Sequence, residues 1–227
     1  MSEAEDISMF DRDSIGVAKG RPGGYCAIWP ANADINKLKD VKKTLKDLLK
    51  EVEGGASGGY ISEDGVEFST DTDSDEHSDW AGDTIDGDLT SYAESVKVTF
   101  LESTPPVLKA VYGDDNVTVD GATITVVHNK NFTAPRVYVF DSVVSATKVE
   151  RNIVPLGRIF ERDSVTLNSS DLKGFSPTIK CMPFDDDGNT KITVIYDVAK
   201  AAKLEPAAAS EEGKPVQADA PGDQASA

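Results

Sequence analysis

The sequence predicts a mostly β protein, an antiparallel β-sandwich or barrel with one or two flanking helices. Roughly ten segments show the period-two alternation or the β-branched and aromatic content of strands. Tight turns separate many neighbouring segments, which is the connection that antiparallel strands allow. Only two segments show the apolar spacing of amphipathic helices, so we expect the helices to flank the sheet.

The chain of 227 residues divides into three parts. Residues 1–23 are mostly polar, and we predict an extended N-terminal arm. Residues 24–199 carry the strand and helix patterns and are predicted to form the β-sandwich domain. Residues 200–227 are rich in Ala, Glu and Pro with almost no large apolar side chains, so we predict a disordered acidic tail.

The domain begins with a predicted strand at 25–29 and a predicted helix at 35–52. Asp34 supplies the N-cap of this helix, and Gly54 ends it. The apolar residues recur at intervals of three and four: Ile35, Leu38, Val41, Leu45, Leu48, Leu49 and Val52. The pattern predicts one amphipathic helix packed on a sheet.

The next region predicts a hairpin at 58–68, a long acidic loop at 70–80 and a strand at 96–101. Asp64-Gly65 predicts the turn of the hairpin. A short second helix follows, with Pro105 at its first position and Gly113 at its end.

Strands dominate the rest of the domain. Asp120-Gly121 predicts the turn of a hairpin, and Asp187-Gly188 predicts the turn of the last hairpin. Cys26 and Cys181 lie in apolar strand contexts, so we predict two reduced core residues. The strands are predicted at 116–119, 123–128, 136–144, 147–156, 158–166, 178–184 and 191–198.

Acidic residues are concentrated in one segment. Between Glu63 and Asp88 the chain carries eleven Asp and Glu residues and no Lys or Arg, and the formal net charge of the whole chain is -17. Such a surface repels phosphates, so it is not built to grip nucleic acid. It could bind cations, meet a basic partner, or line a channel through which DNA slides without sticking.

Signals for enzymes, metals and cofactors are poor, and we predict none of the three. The chain has only two histidines and lacks the nucleophile elbow, the phosphate loop and the Cys-x-x-Cys pair. The run from Asp71 to Asp75 begins like a calcium loop. Glu76 replaces the Gly needed at the sixth position, and Gly82 replaces the Glu needed at the twelfth. No apolar run is long enough for a membrane span.

An ordered series of short motifs over residues 24–198 resembles the major tail protein of long-tailed, non-contractile bacteriophages. The motifs are Gly59-Tyr60-Ile61-Ser62-Glu63-Asp64-Gly65, Trp80 with Gly82-Asp83, Phe100-Leu101-Glu102 leading into Val107–Val117, Val137-Tyr138-Val139-Phe140-Asp141, Ile153-Val154-Pro155-Leu156-Gly157, and Pro183 with Asp187-Gly188-Asn189.

This resemblance implies the phage tail tube fold, a β-sandwich with a flanking helix. It also implies that six subunits form a ring, that inner sheets join into one barrel around the bore, and that rings stack into a tube that conducts the genome without specific DNA binding. The implied partners are further copies of the chain, the tape measure protein, and the tail terminator and distal tail proteins. The implied location is the virion tail, assembled in the host cytoplasm.

Charge suggests which residues make contacts between subunits. We expect Asp71, Asp73, Asp75 and Glu76 to reach the adjacent ring and to meet basic positions. The basic candidates are Lys42, Lys43, Lys130 and Arg136. We expect Arg21 to bridge subunits as well. Trp80 has two possible roles: it anchors the acidic loop on its own core, or it plugs into the next subunit.

Three other functions compete with this interpretation. A surface β-sandwich that binds glycans or a host receptor would need exposed aromatic clusters, and aromatic residues make up only 7% of the chain. A hydrolase would need a carboxylate with a raised pKa in a cleft. A contractile-type inner tube subunit would share the fold and the ring.

Overall fold

The computed structural model describes residues 15–131, 133–144 and 147–201. It confirms the predicted fold class: the protein is mostly antiparallel β with few helices, and its main sheet is not closed into a barrel. The predicted arm at 1–23 and tail at 200–227 lie largely outside the described residues. Among the described residues, no helix has the length and apolar character of a membrane span.

Among the described residues, eleven strands and three α-helices follow one another, and a further helical stretch begins at residue 198. The strands are β1 Lys19–Gly20, β2 Cys26–Pro30, β3 Ala56–Ser57, β4 Ile61–Ser78, β5 Thr84–Phe100, β6 Val117–Asp120, β7 Thr123–Val126, β8 Arg136–Val143, β9 Lys148–Arg162, β10 Pro177–Cys181 and β11 Ile192–Asp197. The α-helices are α1 Ile35–Leu38, α2 Leu45–Glu51 and α3 Pro105–Tyr112, and a 3₁₀ turn covers Asp114–Asn116.

Nine strands form one sheet in the order β3-β2-β8-β9-β10-β5-β4, with β1 paired to β8 and β11 paired to β9. Near β2 and β8, both faces of this sheet pack against other parts of the domain. Alternate residues of a strand point to opposite faces, so each strand contributes to two cores. Cys26 and Tyr138 join a core that includes α3, whereas Ala27 and Val137 join a second core with α1 and α2. As predicted, Cys26 and Cys181 are buried free thiols.

The prediction of one helix over 35–52 is wrong, because the chain forms two short helices there. Asp34 caps α1, and Thr44 and Asp47 form a capping box that starts α2. Leu38, Leu45 and Leu48 are nevertheless buried, as their spacing predicted. The chain can leave the helix between them because buried arginine side chains bind the carbonyls freed at the break, as described below.

The predicted hairpin at 58–68 and the acidic loop at 70–80 are also wrong. Residues Ile61–Ser78 form one strand paired with β5, and the turn lies near Gly82. Gly65 takes a positive φ of 76° where the pairing register shifts, so Asp64-Gly65 forms a bulge. Thr and Ser alternate with Asp from Thr70 onward, and this alternation suits a strand with two different faces.

The two strands predicted at 147–156 and 158–166 are a single strand, β9. Gly157 makes no turn; a Cβ placed there would lie 2.7 Å from the Tyr138 ring and 2.8 Å from Ile179, so its lack of a side chain permits close packing. The predicted turn at Asp187-Gly188 exists, with Phe184 N donating to Asn189 O. It does not make a hairpin of β10 and β11, which pair with different parts of β9.

Candidate functional site

The outer part of the β4–β5 hairpin, residues 71–93, extends beyond the other strands of the sheet. We call it the hairpin arm. Strand β10 pairs with β5 only from Glu94 to Lys97. In the part of the chain that the structure describes, no strand other than β4 pairs with β5 beyond Glu94. Every residue of the arm is exposed. Its paired strands extend roughly 26 Å from the body of the domain, at about 3.3 Å per residue.

One face of the arm is acidic. Directly opposite residues of an antiparallel pair point to the same side, and the register pairs Asp73 with Ser91, Asp75 with Asp88 and His77 with Asp86. We call this side the acidic face; its titratable members are Asp71, Asp73, Asp75, His77, Asp86 and Asp88. Opposed carboxylates destabilise a strand pair. His77 Nε2 lies 3.8 Å from Asp88 Oδ2.

The other side, which we call the inner face, carries few charges. Thr72 lies opposite Tyr92, and Ser74 lies opposite Leu89. Glu76, near the tip, is the carboxylate on this side of the arm. Tyr92 is 50% exposed and Leu89 is 62% exposed, so large apolar side chains stand uncovered in the single subunit.

The tip of the arm is an ordered turn that presents Trp80. The Asp79 carboxylate accepts hydrogen bonds from the backbone N–H groups of Ala81 at 2.8 Å and Asp83 at 2.9 Å. Gly82 supplies the positive φ of 88° that the turn requires. Trp80 is fully exposed, so it does not anchor the arm on its own core.

The Asp-x-Asp-x-Asp run does not form a calcium loop, because it lies within an extended strand. Its side chains are spaced about 6.6 Å apart along one face. Carboxylates at that spacing cannot wrap around one cation at the ~2.4 Å distance that calcium requires. Among the described residues, no group of three or more His, Cys, Asp or Glu is arranged to hold a metal ion.

Glu94 fixes the base of the arm. Its carboxylate accepts a hydrogen bond from Thr190 Oγ1 and lies 3.0 Å from Lys191 Nζ. Burial acts to raise the pKa of Glu94, but the bonds from Thr190 and Lys191 outweigh it and hold that pKa below its ordinary value. The same ammonium lies 5.0 Å from the centre of the Phe68 ring. The arm therefore projects from a firmly bonded base.

Arg21 lies in a network within its own chain. Its guanidinium donates to Asp141 Oδ2 at 3.1 Å and to the carbonyl oxygens of Val41 and Lys43. Arg151 binds both oxygens of the same Asp141 carboxylate at 2.6 Å and donates to the carbonyls of Leu38, Asp40 and Lys43. These bonds satisfy the carbonyls freed where the helix breaks.

The sequence prediction missed Arg151 and Asp141, whose side chains are both completely buried. Asp141 had a signal, because it is the lone charged residue of the run 139–143. A buried charge at such a position is stable only when paired, so it indicates a cationic partner. Arg151 had no such signal, because Glu150 and Asn152 flank it in the sequence.

The predicted basic positions differ in their surroundings. Arg136 is paired with Asp114 at 2.5 Å, and Lys43 is paired with Glu51 at 2.5 Å. Lys42 lies 5.7 Å from the Tyr196 ring. Lys130 is exposed. The structure of one subunit brings none of these four positions to the acidic face of its own arm.

Comparison with known proteins identifies the family. The model of the phage tail tube protein family matches residues 23–205. The comparison with curated proteins gave no match. The family match covers all of the main sheet except β1, both cores and the whole hairpin arm, and on this ground the chain belongs to the phage tail tube protein family.

Proposed function

We propose that six copies of this chain close into a ring and that the rings stack into the tube of a long, non-contractile phage tail. Membership of the family makes the protein a structural component of the virion tail that assembles into a tube. The observation that carries the rest is the hairpin arm, which stands exposed over its whole length in one subunit. In a monomer, an uncovered strand pair of this length promotes aggregation, because its free edge pairs with other chains. In an assembly, the same edge pairs with a neighbouring subunit.

Free sheet edges support a ring. Within the described residues, β4 pairs only with β5, and β11 pairs only with β9. Each strand therefore has one edge whose N–H and C=O groups can pair with another chain. A contact that joins one edge of a copy to a different edge of the next copy is heterologous, and such a contact produces a ring when its rotation closes.

Charge supports a conduit. DNA binds proteins mainly through cations that neutralise its phosphates, and a wall without them has little affinity for the duplex. A chain with a net charge of -17 repels phosphates at short range. We propose that the tube is an acidic conduit through which the genome passes during ejection without specific binding.

We propose that the arm also supplies contacts between rings, through Asp71, Asp73, Asp75, Glu76 and Trp80. Lys130 is an exposed basic position suited to receive the carboxylates. Arg136 takes part by exchanging its partner Asp114 for a carboxylate of the next subunit. Arg21 contributes by fixing the segment before β2 to the 38–43 loop and to Asp141.

The proposed partners follow from the tube. Further copies of the chain form its wall, a tape measure protein occupies the bore during assembly, and tail terminator and distal tail proteins close the two ends. Assembly takes place in the host cytoplasm.

Electron microscopy and native mass spectrometry of the purified full chain, over a range of protein concentrations, test this proposal. We expect hollow rings or tubes in the images and a species of six subunits in the mass spectrum. A chain that stays monomeric at every concentration, or a ring of another size, contradicts the proposed hexamer. Comparison of the tubes with and without added duplex DNA checks that they do not retain it.

A further inference from the structure

The inner face of the arm continues the core-facing side of the sheet. On β4, Val66 and Phe68 point to the same side as Thr72 and Ser74, because residues two apart share a face. Val66 and Phe68 pack against the core. Beyond them the sandwich ends, and no opposing layer formed by the described residues covers Tyr92 and Leu89.

A groove lies beside the inner face at the base of the arm. Its volume is about 670 Å³. Its apolar lining includes Val66 and Phe68 of β4, Tyr25, which precedes β2, and Phe140 of β8; Lys19, Glu63, Asp141 and Glu150 also line it. The groove and the inner face together form one surface that runs from the body of the domain toward the tip.

We propose that this surface, the groove together with the inner face of the arm, docks a second copy of this chain, while the acidic face remains in water. The inference rests on the proposed function, because the tube provides the second copy. It goes further by assigning the two faces of the arm to different environments.

Charge decides between the faces. Both partners in such a contact are the same strongly acidic chain. Removing the carboxylates of the acidic face from water against that chain is strongly unfavourable for every ion that stays unpaired. Tyr92 and Leu89 carry no such penalty, and burying them is favourable. On the acidic face the carboxylates stay hydrated, where they can approach exposed basic positions of an adjacent ring.

Size explains why the groove belongs to the contact. A face of two paired strands about eight residues long measures roughly 26 Å by 10 Å. This is about a third of the ~800 Å² that each partner contributes to a stable interface. The inner face alone is too small, and the groove extends it in the direction of the domain.

A matched pair of substitutions tests the assignment. Tyr92→Glu adds a negative charge to the inner face, and Ala93→Glu adds the same charge one residue away on the acidic side. Both positions are exposed in the single subunit. We expect Tyr92→Glu to raise the protein concentration needed for assembly by at least about tenfold, the effect of losing an interface anchor. We expect Ala93→Glu to change it by less than about threefold.

The readout is the concentration at which rings or tubes form, measured by sedimentation and electron microscopy. Circular dichroism and thermal melting of the monomers check that both variants are folded, and Tyr92→Phe is expected to assemble like the unmodified chain. Equal effects of the two charged substitutions, or no effect of Tyr92→Glu, overturn the assignment and leave the tube intact. Failure of the unmodified chain to assemble overturns the proposed function and this inference with it.

Discussion

At the scale of single residues, the buried ion pair of Arg151 and Asp141 explains how the chain can leave a helix inside a packed protein. Carbonyl groups freed at a helix break must find donors when they are shielded from water. The Arg151 guanidinium supplies donors to Leu38, Asp40 and Lys43 while it neutralises Asp141. One side chain therefore connects β8, β9 and the 38–43 loop.

Removing this guanidinium should destabilise the fold strongly. We expect Arg151→Met to lower the free energy of unfolding by about 3–5 kcal/mol, because it leaves the Asp141 carboxylate buried with only Arg21 as a cationic partner. Urea denaturation of the monomer measures the change. The matched control is Lys97→Met, which breaks the exposed pair with Asp163 and should leave the midpoint nearly unchanged. Equal effects of the two substitutions would contradict the structural role given to Arg151.

Glu94 should make the free energy of unfolding depend on pH. Its pKa is lower in the folded protein than the ordinary 4.5, so its bonds stabilise the fold above that pH. The stabilisation is lost as the pH falls through the lower folded pKa. We expect unmodified protein to exceed Glu94→Gln in unfolding free energy at neutral pH, with a gap that narrows below pH 4.5. Urea denaturation across this pH range measures the difference in unfolding free energy between the two proteins. A difference that does not change with pH would show that the Glu94 carboxylate does not cause it.

At the scale of elements, the hairpin arm combines a stable base with an exposed outer part. The ion pair and hydrogen bond at Glu94 lie where β10 stops pairing with β5. Beyond that point the arm is held by its own ladder and turn, and its acidic face places Asp75 opposite Asp88. These opposed carboxylates lower the local stability of the arm, and such unfavourable pairs are typical of functional segments.

Reversing charge on the arm should block tube growth without unfolding the subunit. We expect Asp73→Lys/Asp75→Lys to fold normally, because both side chains are exposed, and to stop polymerising, because the proposed contacts with basic positions become repulsive. The matched control is Asp186→Lys/Asp187→Lys, which changes the net charge equally at a turn away from the arm. Electron microscopy scores tubes, and unchanged growth of the arm variant would remove the charge contact from the model of assembly.

At the scale of the whole molecule, the open sheet suits this chain to assembly with further copies of itself. Within the described residues, β4 and β11 are edge strands that each pair with one other strand, and the sheet does not close on itself. A groove with apolar and charged lining lies against β4. The subunit thus presents backbone groups that can pair with another chain and, on the arm, exposed apolar side chains, and association with further copies satisfies both.

Tryptophan fluorescence should report this association. The chain has two tryptophans; Trp29 is completely buried and Trp80 is fully exposed. If Trp80 is buried against the next subunit, its emission should shift to shorter wavelength and its quenching by acrylamide should fall as the concentration rises. Trp80→Phe removes the exposed signal and serves as the control, since Trp29 should respond little. An emission spectrum that does not change while tubes form would place Trp80 outside the contacts.

Residue spacing predicted which side chains are buried better than it predicted where elements end. Leu38, Leu45 and Leu48 lie in the core as predicted, although the helix between them is broken. The acidic strand of the arm was predicted as a loop, because its residues have low strand preference and its partner lies in β5, up to 22 positions away. Charge still singled out this segment as the candidate site, although it could not show that the segment has two faces.

The amino-acid sequence by itself determined the β-rich class, the buried positions, the family resemblance and the acidic character of the arm. These properties depend on composition and on local periodicity, which each segment carries alone. Only the tertiary structure decided the continuity of β9, the pairing of Arg151 with Asp141 and the division of the arm into an acidic and an inner face. Those features depend on register between distant strands, and a shift of register by one residue moves every side chain to the opposite face.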